Sequence, residues 1–218
     1  MGTQEVAPAW YARGSDWLTL LHPPYTLWHL SYVAVGASLA PGFHLDRMVW
    51  AIAAFFLAMG VAAHALDELH GRPLRTRISS PALVATAAVS LAGAVAIGVG
   101  AAAAWGWGLL AFVAVGAVLV PAYNLELALH TDWGFALAWG AFPVLTGYFV
   151  EAQTLRIEAV AAAAYGFTLS FAQRTLSTPA RRARREEGRT EPALEAALRL
   201  LTCAAVAIGV ALVAARLR

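Results

Sequence analysis

The sequence predicts an all-α protein in which a polytopic bundle of helices crosses a membrane. Of the 218 residues, 60% are hydrophobic and 13% are charged, whereas soluble domains carry about 25% charged residues. The mean hydropathy is +0.64. The apolar residues form long runs divided by short polar turns, and no linker or shift in composition interrupts them. Residues 1–218 are therefore expected to form a single transmembrane domain.

About seven runs approach the length of a spanning helix, which needs about 20 mostly apolar residues. We place these helices at residues 25–40, 48–69, 81–102, 105–123, 133–150, 158–172 and 193–217. Pro41-Gly42 and Gly71-Arg72-Pro73 are turn signals that separate the first three runs. The break between the third and fourth runs is short, so these two helices are expected to form a tight hairpin.

The arginines predict the orientation of the bundle. Arg72, Arg75 and Arg77 lie between the second and third helices, and a second group lies at residues 174–189, between the sixth and seventh. Short cytoplasmic loops collect positive charge. Both loops and the N-terminus are therefore expected in the cytoplasm and the C-terminus outside, in an inner or plasma membrane.

All fifteen basic residues are arginine. A retinal Schiff base needs a lysine amine, so the composition excludes a retinal-binding rhodopsin. The arginine-rich run at residues 181–189 predicts contact with anionic lipid headgroups. It is short and has no interleaved aromatic residues for base stacking, so no nucleic-acid partner is expected.

The predicted topology gathers ionisable side chains at the cytoplasmic ends of the helices. Imidazoles and carboxylates on facing helices are the groups that bundles use to hold metal ions, and such groups are costly near hydrocarbon. The predicted metal ligands are His64, Asp67, Glu68, His70, Glu126 and His130. Among them, Asp67, Glu68 and Glu126 are also the predicted catalytic residues. His22, His29 and Asp132 are expected at the same end.

A solvated cap of polar residues at the membrane surface is the alternative interpretation of this cluster. Against it, His64 follows directly on an apolar stretch, and Glu126 lies between leucines, so both are expected to be part-buried. His29 fits either a hydrogen-bonding core residue or a ligand. His44 is expected in an outer loop without a role, and Glu151 at the outer interface.

The run from Ala63 to Arg77 resembles the first aspartate-rich motif of the UbiA-type intramembrane prenyltransferases. Asp67 matches the middle aspartate, and Arg72-Pro73 with Arg75-Thr76 resembles the basic tail of the motif. His64 stands where that family has its first aspartate. The segment Pro121-Ala-Tyr-Asn124 and the glycine-containing helix after it resemble later parts of the family. The second aspartate-rich motif has no counterpart, because residues 173–185 contain no acid.

This resemblance implies a UbiA-like fold with a cytoplasmic cavity for a lipid or isoprenoid substrate. It also implies that Asp67 and Glu68 bind Mg²⁺. The arginines implied to neutralise a diphosphate are Arg72, Arg75, Arg77 and Arg174. The histidines shift the expected metal towards iron, zinc or manganese, because imidazole suits these ions.

Three functions stay open from the sequence. The first is a metal-dependent prenyltransferase-like enzyme acting on a lipid or isoprenoid. The second is a membrane oxidase or hydrolase with one or two transition-metal ions held by histidines and carboxylates. The third is a bundle that binds haem, with His64 and His130 as axial ligands, or that binds a lipid without catalysing a reaction.

Overall fold

The computed structural model describes residues 14–127 and 129–218, which form eight helices without a strand. The helices are α1 (Asp16–Leu20), α2 (Pro23–Leu39), α3 (Leu45–Leu69), α4 (Ser80–Trp105), α5 (Leu109–Asn124), α6 (Asp132–Ala152), α7 (Ile157–Glu186) and α8 (Pro192–Arg216). Two of them contain a π-helical segment, Phe56–Ala63 in α3 and Leu137–Ala141 in α6. The all-α prediction is confirmed for the described residues.

Four helices, α3, α4, α6 and α8, are long and apolar enough to cross a membrane. Helix α5 is also apolar but has only 16 residues. These helices support an integral membrane protein. Six of the seven predicted segments coincide with most of one helix each, and the segment 158–172 coincides with half of α7. Seven crossings, and the side on which each terminus lies, stay predictions.

Helix α7 is much longer than predicted, because the arginine-rich segment expected as a loop continues the helix to Glu186. Alanine and arginine are strong helix formers, and the helix passes through Pro179 without ending. It ends where Gly188 adopts a φ of 63°. The chain then folds back, and the Arg189 N–H donates to the Ala183 carbonyl oxygen at 3.2 Å.

Glycines allow α6 to pack closely against α2. A Cβ atom at Gly36 would lie 2.0 Å from the Val144 carbonyl oxygen, and one at Gly147 would lie 2.2 Å from the Val33 carbonyl oxygen. Such backbone contact is possible only where small residues face each other. It makes α2 the centre of the bundle, because α8 packs against α2 as well.

The helices from α2 to α8 alternate in direction, so their ends form two polar rims. We call the rim that holds the start of α2 and the ends of α3, α5 and α7 the polar end. There, Arg174 on α7 pairs with Asp132 at the start of α6 at 3.0 Å. At the opposite end, Arg216 of α8 donates to the Pro41 carbonyl oxygen at 3.0 Å. The predicted grouping of helix ends is thus present in the fold.

Candidate functional site

Two histidines from different helices meet at the polar end. His22 precedes α2 with a φ of 45°, and its ring centroid lies 4.5 Å from that of His64 on α3. Burial holds the pKa of His22 well below its ordinary value, and the nearby His64, Arg181 and Arg184 lower it further. His22 is therefore neutral at physiological pH.

Three histidines at or below this rim have one ring nitrogen bound to a backbone carbonyl oxygen. The Nδ1–O distances are 2.8 Å from His29 to Trp139, 3.0 Å from His64 to Gly60 and 3.1 Å from His130 to Tyr123. A carbonyl only accepts, so each Nδ1 carries the proton. In the neutral ring, Nε2 then keeps a lone pair for a proton or a ligand.

The π-helical segments supply two of these three carbonyls. Gly60 lies in the π segment of α3 and Trp139 in that of α6. Both segments contribute residues to one apolar cluster, which includes Met59 and Ala138. In a π segment the backbone hydrogen bonds run from residue i+5 to residue i, in place of i+4 to i in an α-helix. The backbone hydrogen bonding therefore changes at the carbonyls that bind His29 and His64.

Asp67 is the acidic residue of α3 that belongs with this histidine cluster. It is half-buried one turn beyond His64. The charged and titratable groups that act on it include His64, Arg181, His130 and Glu68. The structure therefore brings together four of the sequence-predicted residues, His22, His64, Asp67 and His130. We call these four the histidine–aspartate cluster.

Glu68 is fully buried, and the loop after α3 uses both of its oxygens. Oε2 accepts the Leu74 N–H at 2.9 Å. Oε1 accepts both the N–H and the hydroxyl of Thr76, at 2.8 and 2.9 Å. This geometry gives Glu68 a structural role in closing residues 70–79, and nothing in it supports the predicted roles in catalysis and metal binding.

Two of the four arginines predicted to bind phosphate are engaged by the protein itself. Arg72 donates to the carbonyl oxygens of Thr76 and Ile78 at 3.3 and 2.6 Å and to the Ser80 hydroxyl at 2.9 Å. Arg174 pairs with Asp132 and lies over the Phe135 ring. The other two, Arg75 and Arg77, are exposed.

Glu126 and His70 lie at the edge of the site. Helix α5 ends at Asn124, and Glu126 follows in a turn with a φ of 54°. Its side chain is 55% exposed and lies 3.8 Å from His130 Nε2. The expected burial of Glu126 is wrong, because α5 ends before Glu126 and the turn directs its side chain to the surface. His70 is exposed in the turn after α3.

Residues 14–127 and 129–218 contain no group of three or more histidine, cysteine, aspartate and glutamate side chains placed to hold a metal ion. The imidazole and carboxylate donors are of the type that zinc, iron or manganese prefers. Metal binding stays a prediction from the sequence.

An apolar cavity of about 100 Å³ lies between α3, α4, α5 and α6. Its wall at the polar end includes Met59, Val120 and Trp139, and Trp50 and Trp105 line its far end. Helix α5 lines it from Leu109 to Val120, roughly 16 Å at 1.5 Å per residue. Spread over this length, the volume makes the cavity long and narrow.

This apolar cavity ends on the helical turns that hold the histidines. Met59 precedes Gly60, whose carbonyl binds His64. Trp139 lines the cavity, and its own carbonyl binds His29. Val120 lies one turn before Tyr123, whose carbonyl binds His130. The same helical turns therefore line the end of the cavity and bind His64 and His130 of the histidine–aspartate cluster.

At the opposite end, Glu151 is buried and bound by His44. Its Oε2 accepts the His44 N–H at 2.9 Å and lies 3.0 Å from His44 Nδ1. Arg47 donates to the carbonyl oxygens of Val150 and Glu151. The expectation of a His44 without a role is therefore wrong, because His44 binds this buried carboxylate, whereas the interfacial position of Glu151 stays a prediction. No local sequence pattern joins residues this far apart.

Sequence reasoning missed two residues of the polar end. Arg181, predicted as part of a lipid-facing loop, acts electrostatically on His22, Asp67 and Tyr123. Tyr123 is 4% exposed, and its hydroxyl is buried without a hydrogen-bond partner among the described residues. Buried polar groups are normally satisfied, so this hydroxyl marks a place for water or a ligand.

Comparisons of this chain with protein-family models, with curated proteins and with solved structures find no match.

Proposed function

We propose that this protein is an intramembrane enzyme that acts on a lipid or isoprenoid. The headgroup reacts at the histidine–aspartate cluster, and the hydrocarbon chain occupies the apolar cavity. The observation that carries the proposal is that the cavity ends on the same helical turns whose carbonyls hold His29, His64 and His130. A narrow apolar cavity that leads to polar groups suits a molecule with a single chain and a polar head.

His64 and Asp67 would carry the chemistry. With Nδ1–H fixed on the Gly60 carbonyl, a neutral His64 presents Nε2 as the atom that takes a proton from a headgroup hydroxyl or acidic C–H. Asp67 lies one turn away and acts electrostatically on His64. A carboxylate beside an imidazole stabilises the imidazolium that forms.

The resemblance to UbiA-type prenyltransferases favours prenyl transfer as the reaction. In that version Asp67 would bind Mg²⁺ with help from the arginines of the polar end. The contacts of Glu68 and Arg72 favour it less, because the loop after α3 already uses both side chains. The resemblance therefore rests on the motif residues alone.

A transition-metal oxidase or hydrolase is the second candidate. The observation that favours it is the set of Nδ1–H···O bonds, because histidines that ligate metals donate their other ring nitrogen in this way. Elemental analysis of protein purified without chelators tests it. Near-stoichiometric iron, zinc or manganese that is lost in His64→Ala would support this candidate, and a Soret band would indicate haem instead.

Lipid extraction from the purified protein tests the main proposal. We expect a defined lipid in the wild-type extract by mass spectrometry. Ala117 lines the cavity, whereas Ala114 on the same helix is exposed outside it. Ala117→Phe should expel the bound lipid and Ala114→Phe should keep it. Equal lipid content in both variants would contradict the proposal, provided that both elute as folded protein.

A further inference from the structure

We infer that the headgroup bound at the histidine–aspartate cluster is a neutral oxygen group, a hydroxyl or carbonyl, and not a diphosphate. The inference rests on the proposed function and names the chemical class of its substrate. It follows from the charges that surround the cluster, the engagement of Arg72, and the polar atoms available to a headgroup.

The half-buried or buried arginines of α7 each have a carboxylate that opposes their charge. Arg174 contacts Asp132 at 3.0 Å, and the buried Arg184 contacts the buried Glu195 at 2.8 Å. Arg181 and Asp67 act on each other electrostatically. The inner face of α7 is therefore close to neutral.

The loop after α3 adds little positive charge to the inside of the site, because Arg75 and Arg77 are exposed at its surface. Arg72 uses three of its five guanidinium N–H donors for two backbone carbonyls and the Ser80 hydroxyl. Redirecting it would leave these acceptors without partners, which is costly in a part-buried loop. A diphosphate carries several negative charges, so binding it here would require charges that the inner face of the site lacks.

The polar atoms of the site can hydrogen-bond to a neutral headgroup. A hydroxyl can donate to the lone pair on His64 Nε2, because Nδ1 holds the ring proton. A headgroup oxygen can also accept from the Tyr123 hydroxyl, which is buried and has no hydrogen-bond partner among the described side chains and backbone. Tyr123 is held in place by His130, whose ring stacks on it with centroids 4.7 Å apart. A carbonyl oxygen would use the Tyr123 donor alone.

The test compares two probes that share one chain, farnesol and farnesyl diphosphate, with protein in nanodiscs of uncharged lipid. We expect saturable binding of farnesol that is independent of Mg²⁺ and is at least tenfold tighter than that of the diphosphate. Tyr123→Phe removes only the hydroxyl and should weaken farnesol binding about tenfold. Ala117→Phe should abolish the binding of farnesol, and Ala114→Phe should leave it unchanged.

Tighter, Mg²⁺-dependent binding of the diphosphate would overturn the inference, above all if it is lost when the exposed Arg75 and Arg77 are both changed to glutamine. Unchanged farnesol affinity in Tyr123→Phe would overturn it as well. If neither probe binds, the inference fails for these headgroups, whereas the proposed function is decided separately by the lipid that co-purifies with wild type and Ala114→Phe.

Discussion

One carboxylate oxygen of Glu68 accepts two hydrogen bonds from a single residue, Thr76, from its backbone N–H at 2.8 Å and from its hydroxyl at 2.9 Å. Glu68→Ala would leave both donors, and the Leu74 N–H, without their partner. We expect a loss of about 2–4 kcal/mol in the free energy of unfolding, measured by denaturant titration in detergent.

Glu126→Ala is the matched control, because Glu126 is exposed at the same end of the bundle. Its effect on unfolding should stay within about 0.5 kcal/mol. If Glu68→Ala unfolds like the wild type but loses its bound lipid, this result would contradict the structural role and support the predicted catalytic role of Glu68.

The lowered pKa of His22 predicts that stability falls in mild acid. The unfolded chain has the ordinary pKa of 6.5, and the folded pKa lies well below it, so the unfolded state binds more protons between these two values. Stability is therefore fully present above about pH 6.5 and is lost as the pH falls towards the folded pKa. Thermal unfolding between pH 7.5 and 5 measures this slope.

His22→Asn should flatten the slope, because asparagine has no group that titrates in this range and tolerates a positive φ. His70→Asn changes an exposed histidine near the same rim and should leave the slope unchanged. An identical pH profile in wild type and His22→Asn would show that another group controls the acid response.

The close contact of α2 and α6 makes Gly147 intolerant of any side chain. A Cβ atom there would meet the Val33 carbonyl oxygen and the Ala37 nitrogen, both backbone atoms. We expect Gly147→Val to give no monodisperse protein in size-exclusion chromatography. Gly100→Ala meets nothing within 4 Å and removes a glycine from the interior of α4, so it should raise stability slightly. A well-folded Gly147→Val would contradict the packing.

The pair of His44 and Glu151 should couple energetically. Because Glu151 is buried and receives two hydrogen bonds from His44, His44→Ala should cost about 1–2 kcal/mol by removing the side-chain donor. In a double-mutant cycle with Glu151→Ala, we expect a coupling energy of about 1 kcal/mol. Strictly additive effects would mean that the side chains stabilise the fold independently.

The apolar runs and the turn residues were sufficient to predict the central part of most helices. The runs at residues 48–69, 81–102 and 193–217 correspond closely to α3, α4 and α8. The arginine-rich segment was assigned to a loop from its charge, although alanine and arginine favour the helix that α7 forms there. The buried pair of Arg184 and Glu195, which joins α7 to α8, is not visible in local sequence.

The candidate site was predicted in part. His64 and Asp67 share a helix face, and the helix order brings His22 and His130 to the same end. Glu68 was grouped with them because it follows Asp67, yet a change of one residue along a helix turns the side chain by about 100°. That rotation directs Glu68 to the loop, where Leu74 and Thr76 bind it.

The π segments of α3 and α6 give these helices places where a change in chain length can be absorbed. A π turn accommodates more residues per turn than an α turn. If one residue is deleted from Phe56–Ala63, a return to regular α winding therefore keeps His64 and Asp67 close to their present direction. The same deletion in the α-helical part of α3 before Phe56 has no such compensation and would rotate both side chains by about 100° about the helix axis. That rotation would separate the rings of His22 and His64, whose centroids the fold holds 4.5 Å apart.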